Sequence, residues 1–186
     1  MRLVYLHGFN SSPRSHKATL LEHDLARRGL AASYACPALP PLASEALACI
    51  EPLLEPDTCL VGSSLGGFYA TWLAETRGHR AVLINPAIEP HVGLRALLGP
   101  QKNLYTGERY VLTEAHLREW QALYPPRITP GRYLLLVETG DEVLDYRKAV
   151  QRYAGCEQLI VEGGDHSLRS FPRHLLRILR FARLVA

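Results

Sequence analysis

No stretch of this sequence approaches the length of a membrane span. The apolar start, Met1-Arg2-Leu3-Val4-Tyr5-Leu6, is cut short by His7-Gly8, too early for a signal peptide. Charge of one sign is also lacking. A net charge of +3, with no basic run interleaved with aromatics, gives no reason to expect a nucleic-acid partner. Arg173, Arg177, Arg180 and Arg183 recur at helical spacing and read as one solvated helix face. Cysteine is sparse: Cys36, Cys49, Cys59 and Cys156 form no Cys-x-x-Cys pair, and no histidine pair has zinc-ligand spacing. Neither a metal nor a cofactor is expected, and the cytoplasm, with its reduced thiols, is the expected compartment. What remains is ordinary globular material. In 186 residues, 47% are hydrophobic and 21% charged, enough for one domain, residues 1–186, with a well-developed core.

Apolar runs alternate with helix-like stretches along the chain. Leu3–Leu6 reads as a short buried strand, followed by a loop of turn formers from His7 to Pro13. A helix is predicted from about Ser15 to Arg28, stopped by Gly29. A weak strand from Ala32 to Cys36 and a helix from Ser44 to Leu54 come next. Thr58–Val61 is the next strand, then the helix Leu65–Arg77 and the strand Arg80–Ile84, which ends at Asn85-Pro86. From Ala87 to Pro130 the sequence carries several prolines, short helical pieces and no convincing strand, with Glu114–Tyr124 its best helix. Strand Tyr133–Val137, a helix from about Tyr146 to Tyr153, strand Gln158–Val161 and a final helix from about Phe171 to Leu184 close the chain. Ser170 is expected to cap that last helix. Strands separated by helices imply right-handed βαβ units and a mostly parallel sheet covered on both faces.

In such sheets functional groups gather at the carboxyl ends of the strands. His7, Ser64, Asn85, Asp141 and His166 all directly follow predicted strands. Around Ser64, Gly62-Ser63-Ser64-Leu65-Gly66 forms Gly-x-Ser-x-Gly between a strand and a helix, the setting of a nucleophile elbow. A Cβ at Gly62 or Gly66 would crowd the neighbouring strand and helix. A serine hydroxyl needs a base, and the base needs a carboxylate to fix its tautomer. His166, in the Gly-Gly loop after the last strand, is the best base. His16, His23, His79, His91, His116 and His174 fall on predicted helix faces or surface turns. Asp141 is the best acid, giving the chain order serine, aspartate, histidine of α/β-hydrolases. Asp145 is the runner-up, at a position wanting a helix cap, and Glu138 and Glu142 read as strand-end and solvated residues. The N–H groups of Leu65, after the nucleophile, and Phe9, after the first strand, are candidate oxyanion donors. His7 reads as an organiser of its loop.

The motifs His7-Gly8-Phe9-Asn10-Ser11-Ser12-Pro13, Gly62-Ser63-Ser64-Leu65-Gly66-Gly67, Asn85-Pro86-Ala87, Thr139-Gly140-Asp141-Glu142-Val143-Leu144-Asp145-Tyr146 and Gly163-Gly164-Asp165-His166 together resemble the YqiA-like esterases, small bacterial α/β-hydrolases. The similarity runs over nearly the whole chain. It implies carboxylic-ester hydrolysis by a serine-aspartate-histidine triad at Ser64, Asp141 and His166. This chain departs from the family at Asp165, where asparagine often precedes the histidine; the added carboxylate is expected to favour the imidazolium form of His166. The expected architecture is a minimal α/β-hydrolase fold, without early antiparallel strands, carrying residues 87–130 as a small lid-like insertion. So short a lid favours short-chain acyl esters, small-molecule substrates cleaved through an acyl-serine. A thioesterase, an acyl-peptide hydrolase or a non-catalytic binding protein of the same fold are the alternatives, and the oligomeric state is left open.

Overall fold

The computed structural model describes all 186 residues, from Met1 to Ala186. Six strands form one sheet in which every neighbouring pair is parallel: β1 (Leu3–Leu6), β2 (Tyr34–Ala35), β3 (Cys59–Ser63), β4 (Arg80–Ile84), β7 (Tyr133–Glu138) and β8 (Glu157–Val161). Their spatial order is β2-β1-β3-β4-β7-β8. The inner strands β1, β3, β4 and β7 are short and largely apolar because helices cover both faces, whereas the edge strand β8, Glu-Gln-Leu-Ile-Val, is partly exposed. Successive side chains divide cleanly between two cores. Leu3, Tyr5, Val61, Ile84 and Leu136 meet α1 (His16–Arg27) and α7 (Phe171–Phe181) on one face. Val4, Leu6, Leu60, Leu83 and Leu135 meet α2 (Ala43–Ile50), α3 (Leu65–Arg77), α5 (Glu114–Ala122) and α6 (Tyr146–Arg152) on the other. No helix is long and apolar enough to cross a membrane.

Most predicted elements lie within a residue or two of their observed ends; three differ in an informative way. The weak second strand shrinks to two residues at the sheet edge, preceded by a 3₁₀ turn at Ala31–Ser33. The expected Ser44–Leu54 helix stops at Ile50 and tightens to 3₁₀ over Glu51–Leu53, where Pro52 has no N–H to continue the α ladder. Ser170 has helical backbone angles and no side-chain cap; its N–H donates instead to Glu138 Oε1 at 2.7 Å.

The largest difference falls between Ile84 and Tyr133. After the single turn α4 (Pro90–Gly93), the chain makes an antiparallel hairpin of β5 (Gly99–Lys102) and β6 (Arg109–Leu112), where no strand was expected. Its β5 sequence, Gly-Pro-Gln-Lys, has no apolar alternation to betray it. Docking on the loop after β1 holds it in place. Asn10 Nδ2 donates to Gln101 Oε1 (3.2 Å), Tyr110 OH to Asn10 Oδ1 (2.8 Å) and Asn103 Nδ2 to the Ser11 carbonyl (2.8 Å). Behind the hairpin, α5 packs against the body through Leu117 and the fully buried Trp120, whose Nε1–H donates to Tyr69 OH at 2.8 Å.

Candidate active site

The turn from β3 into α3 is as tight as its glycines suggest. An added Cβ on Gly62 would strike the Gly66 carbonyl, and one on Gly66 would strike the Leu6 carbonyl of the neighbouring strand. Both obstacles are backbone, so neither can swing aside. The chain reverses at Ser64, whose φ of 54° and ψ of −120° lie in a region that L-residues seldom occupy. Three backbone hydrogen bonds hold it there: its N–H donates to Ile84 O at 3.0 Å, and its carbonyl accepts from Gly67 at 2.9 Å and Ala87 at 3.0 Å. Such strain persists only where the surroundings over-determine it.

Asp141 and His166 come from loops after different strands, and the sheet brings them together. His166 Nδ1 lies 2.8 Å and 3.0 Å from the two Asp141 carboxylate oxygens. The Asp141 side chain is 1% exposed and the imidazole 23% exposed. Burial pushes the Asp141 carboxyl up. The His166 hydrogen bond, the Leu144 and Val143 N–H donors and the nearby imidazole outweigh it and hold the group below the usual aspartate value. An imidazole that donates Nδ1–H to a carboxylate presents Nε2 as an acceptor. Ser64 and His166 line one cavity of about 550 Å³. The imidazole's side-chain bonds go to Asp141, and none joins it to the Ser64 hydroxyl.

Phe9 and Leu65 line the same cavity. The Phe9 N–H has no acceptor in the protein, and Leu65 is the first residue of α3, where a helix leaves its N–H groups unpaired. The rest of the wall is largely apolar, with Ile88, Leu94 and Leu97 from the segment after β4 and Val143 from the acid loop. Asp145, Glu89 and Lys148 are the charged residues on it. Asp145 is nonetheless occupied elsewhere: its carboxylate caps α6, accepting from the Arg147 N–H at 3.1 Å and from the Arg147 guanidinium at 2.8 Å.

Two carboxylates beside the site differ from the sequence reading. Glu138, expected at a solvated strand end, is 1% exposed. It accepts the N–H groups of Asp165 (2.8 Å), Arg169 (3.0 Å) and Ser170 (2.7 Å), so it clamps the loop that carries His166. Burial pushes its carboxyl up, and these donors hold it below the ordinary glutamate value. Asp165, expected beside the imidazole, gives its oxygens to Arg169 Nε at 2.6 Å and to the Ser167 N–H at 2.9 Å, with the Ser167 hydroxyl a third donor. Its charge is paired with Arg169.

Asn85 and Glu142 complete the clamp, in roles the sequence did not announce. Asn85, buried and at φ 39°, accepts the Glu138 N–H at 3.1 Å and donates to the Asp165 and His166 carbonyls at 3.2 and 3.1 Å. Glu142 accepts the His166 N–H at 3.0 Å. The position of Asn85 directly after a strand was the available signal; its partners, eighty residues away, were not legible. His7 organises its loop: Nε2 accepts the Leu39 N–H and Nδ1 lies 3.0 Å from the Gly8 carbonyl. Burial pushes its pKa down, leaving it neutral.

The chain is similar to known proteins over nearly its whole length. A relative from Vibrio vulnificus strain CMCP6, a UPF0227 protein, is 20% identical over 185 residues, covering 96% of this chain and 97% of its own. A crystal structure from Agrobacterium vitis S4 superposes with a TM-score of 0.75 at 20% identity, over 97% of this chain and 87% of that one. The esterase domain of a Rhodothermus marinus protein superposes with a TM-score of 0.66 at 18% identity, over 98% and 85%. Together with the six-stranded parallel sheet and its elbow, these likenesses give the α/β-hydrolase fold. The sequence model of Uncharacterised protein family (UPF0227), the YqiA-like family, matches residues 2–183, and the chain belongs to that family.

Proposed function

We propose that the protein is a serine esterase that cleaves short-chain carboxylic esters. Ser64 is the nucleophile, His166 the general base, Asp141 the residue that orients the base, and the Phe9 and Leu65 N–H groups the oxyanion donors. The observation that carries this reading is that His166, bonded to Asp141, lines one cavity with a serine held at positive φ. The likeness to the Rhodothermus esterase domain is in keeping with it.

On this reading Ser64 Oγ attacks the ester carbonyl carbon while its proton passes to His166 Nε2. The oxygen that becomes negative meets N–H groups already in place, so no dipole has to reorient during the reaction. The positive N-terminus of α3 adds to the same field. Collapse of the intermediate breaks the bond to the alkoxy oxygen, which leaves with the proton from His166. Water then attacks the acyl-serine, giving its proton to His166, and the carboxylic acid departs as Ser64 recovers its hydrogen. The hydroxyl–imidazole bond, absent in the unliganded site, is expected to form as substrate closes the geometry.

A fluorophosphonate probe tests the nucleophile, because only an activated serine reacts with it. The adduct is expected on Ser64 by mass spectrometry, and an adduct on Ser11, Ser12 or Ser63 overturns the assignment. Comparing kcat/KM for matched ester, thioester and amide substrates then tests the ester preference.

A further inference from the structure

A second cleft, of about 400 Å³, meets the apolar cavity at Phe9, Ser64, Val143 and His166. Its character is different. Tyr5, Asn10, Ser15, His16, Lys17 and Tyr105 supply most of its remaining wall. The nucleophile therefore stands where an apolar chamber and a polar one join.

Lys17 is the cationic side chain of the polar chamber. Its ammonium donates to the Ser167 carbonyl at 2.9 Å, and no carboxylate lies within ion-pair distance of it. An ammonium carries three N–H donors, so two remain for solvent or a ligand. Burial lowers its pKa to about 8, against the pull of the more distant Asp165, Glu138 and Asp141 charges, and the group is still protonated at neutral pH. A partly buried cation without a counter-ion is unfavourable and is relieved by an anion that reaches it. Glu142 is the carboxylate on the cleft wall; it is exposed, and one of its oxygens is held by the His166 N–H.

On the esterase reading of Ser64, we propose that the polar cleft is a subsite for a carboxylate carried by the ester substrate, with Lys17 as its counter-ion. The substrates are then half-polar esters, an apolar portion in one chamber and an acidic portion in the other. A carboxylate matches a single ammonium in charge, and the cleft has room for the few atoms that would link it to the scissile bond.

Three esters test this: p-nitrophenyl butanoate, the p-nitrophenyl monoester of adipic acid, with its carboxylate on the acyl side, and carboxy-nitrophenyl butanoate, with its carboxylate on the alcohol side. The wild type is expected to favour one acidic ester over the neutral one in kcat/KM by on the order of tenfold, the worth of one charge-assisted hydrogen bond. The favoured isomer identifies which half of the ester enters the cleft. Lys17→Met is expected to abolish that ratio and Lys17→Arg to retain most of it. A wild type with no preference for either acid overturns the proposal. So does a Lys17→Met protein that loses all three substrates in equal proportion, since Lys17 would then only tie α1 to the His166 loop. Calorimetric titration of Ser64→Ala and of Ser64→Ala/Lys17→Met with the same esters separates this inference from the esterase reading. Absence of turnover by the wild type, together with Lys17-dependent binding of the acidic ester, sinks the reaction and keeps the subsite. Binding that ignores Lys17 sinks the subsite.

Discussion

Ser64 is under strain. A non-glycine residue at positive φ with extended ψ costs on the order of 1–3 kcal/mol, and three backbone hydrogen bonds enforce it here. Ser64→Ala is therefore expected to fold and to lose on the order of 10³-fold or more in kcat. Ser64→Gly is expected to lose the same activity while gaining about 1 kcal/mol of stability in urea titration, because glycine accepts the angle without penalty. A Ser64→Gly protein less stable than Ser64→Ala would mean the elbow stores no strain. Asp141 and Asp145, four residues apart, separate equally well. Asp141→Asn is expected to depress kcat strongly, since the amide favours the wrong imidazole tautomer. Asp145→Ala removes the cap of α6 and is expected to cost about 1 kcal/mol of stability. Exchange of these two outcomes between the variants would reassign the acid.

Among the elements, the His166 loop is ordered by polar bonds to its backbone as well as by the buried Leu168. Glu138 receives three of its N–H groups from below, and Asn85 holds two of its carbonyls. Glu138→Gln turns an amide N–H₂ toward those donors, and is expected to cost about 1–3 kcal/mol and to lower kcat with little change in KM. The sign of the pH effect follows from the lowered carboxyl pKa. Glu138 contributes stability that is fully present above the ordinary glutamate value and lost as pH falls through the lower folded-state value. Wild-type urea midpoints are thus expected to fall more steeply in acid than those of Glu138→Gln. Parallel curves would show that Glu138 gains nothing from its charge.

For the molecule as a whole, the question is what the segment between β4 and β7 does above the sheet. Its rear half is anchored: Trp120→Ala is expected to cost about 3–5 kcal/mol, as for other buried aromatics. Its front half supplies Ile88, Leu94 and Leu97 to the apolar cavity. We expect p-nitrophenyl esters to be cleaved best at short acyl lengths, with kcat/KM falling as the chain outgrows the chamber. A maximum at long chains would mean that the segment forms an open channel instead of a lid.

Strand-turn-helix around Ser64, the βαβ rhythm and the order serine, aspartate, histidine were all legible in the chain, because each rests on local periodicity or on glycine placed where a Cβ cannot fit. Leu65–Arg77 and Arg80–Ile84 even matched residue for residue. The hairpin at Gly99–Leu112 was not legible, since its strands are specified by side chains of the β1 loop some ninety residues away. Glu138 misled for a related reason: a glutamate ending a strand is solvated unless distant backbone donors cover it, and three did. Asp165 was misplaced because adjacency in sequence says nothing about which way a carboxylate turns, and Arg169 four residues on took it. The sequence by itself determined the fold and the residues gathered at its carboxyl edge, through short-range pattern. Only the tertiary structure decided how the loops are clamped and where the two chambers meet, because those bonds join segments that the chain keeps far apart.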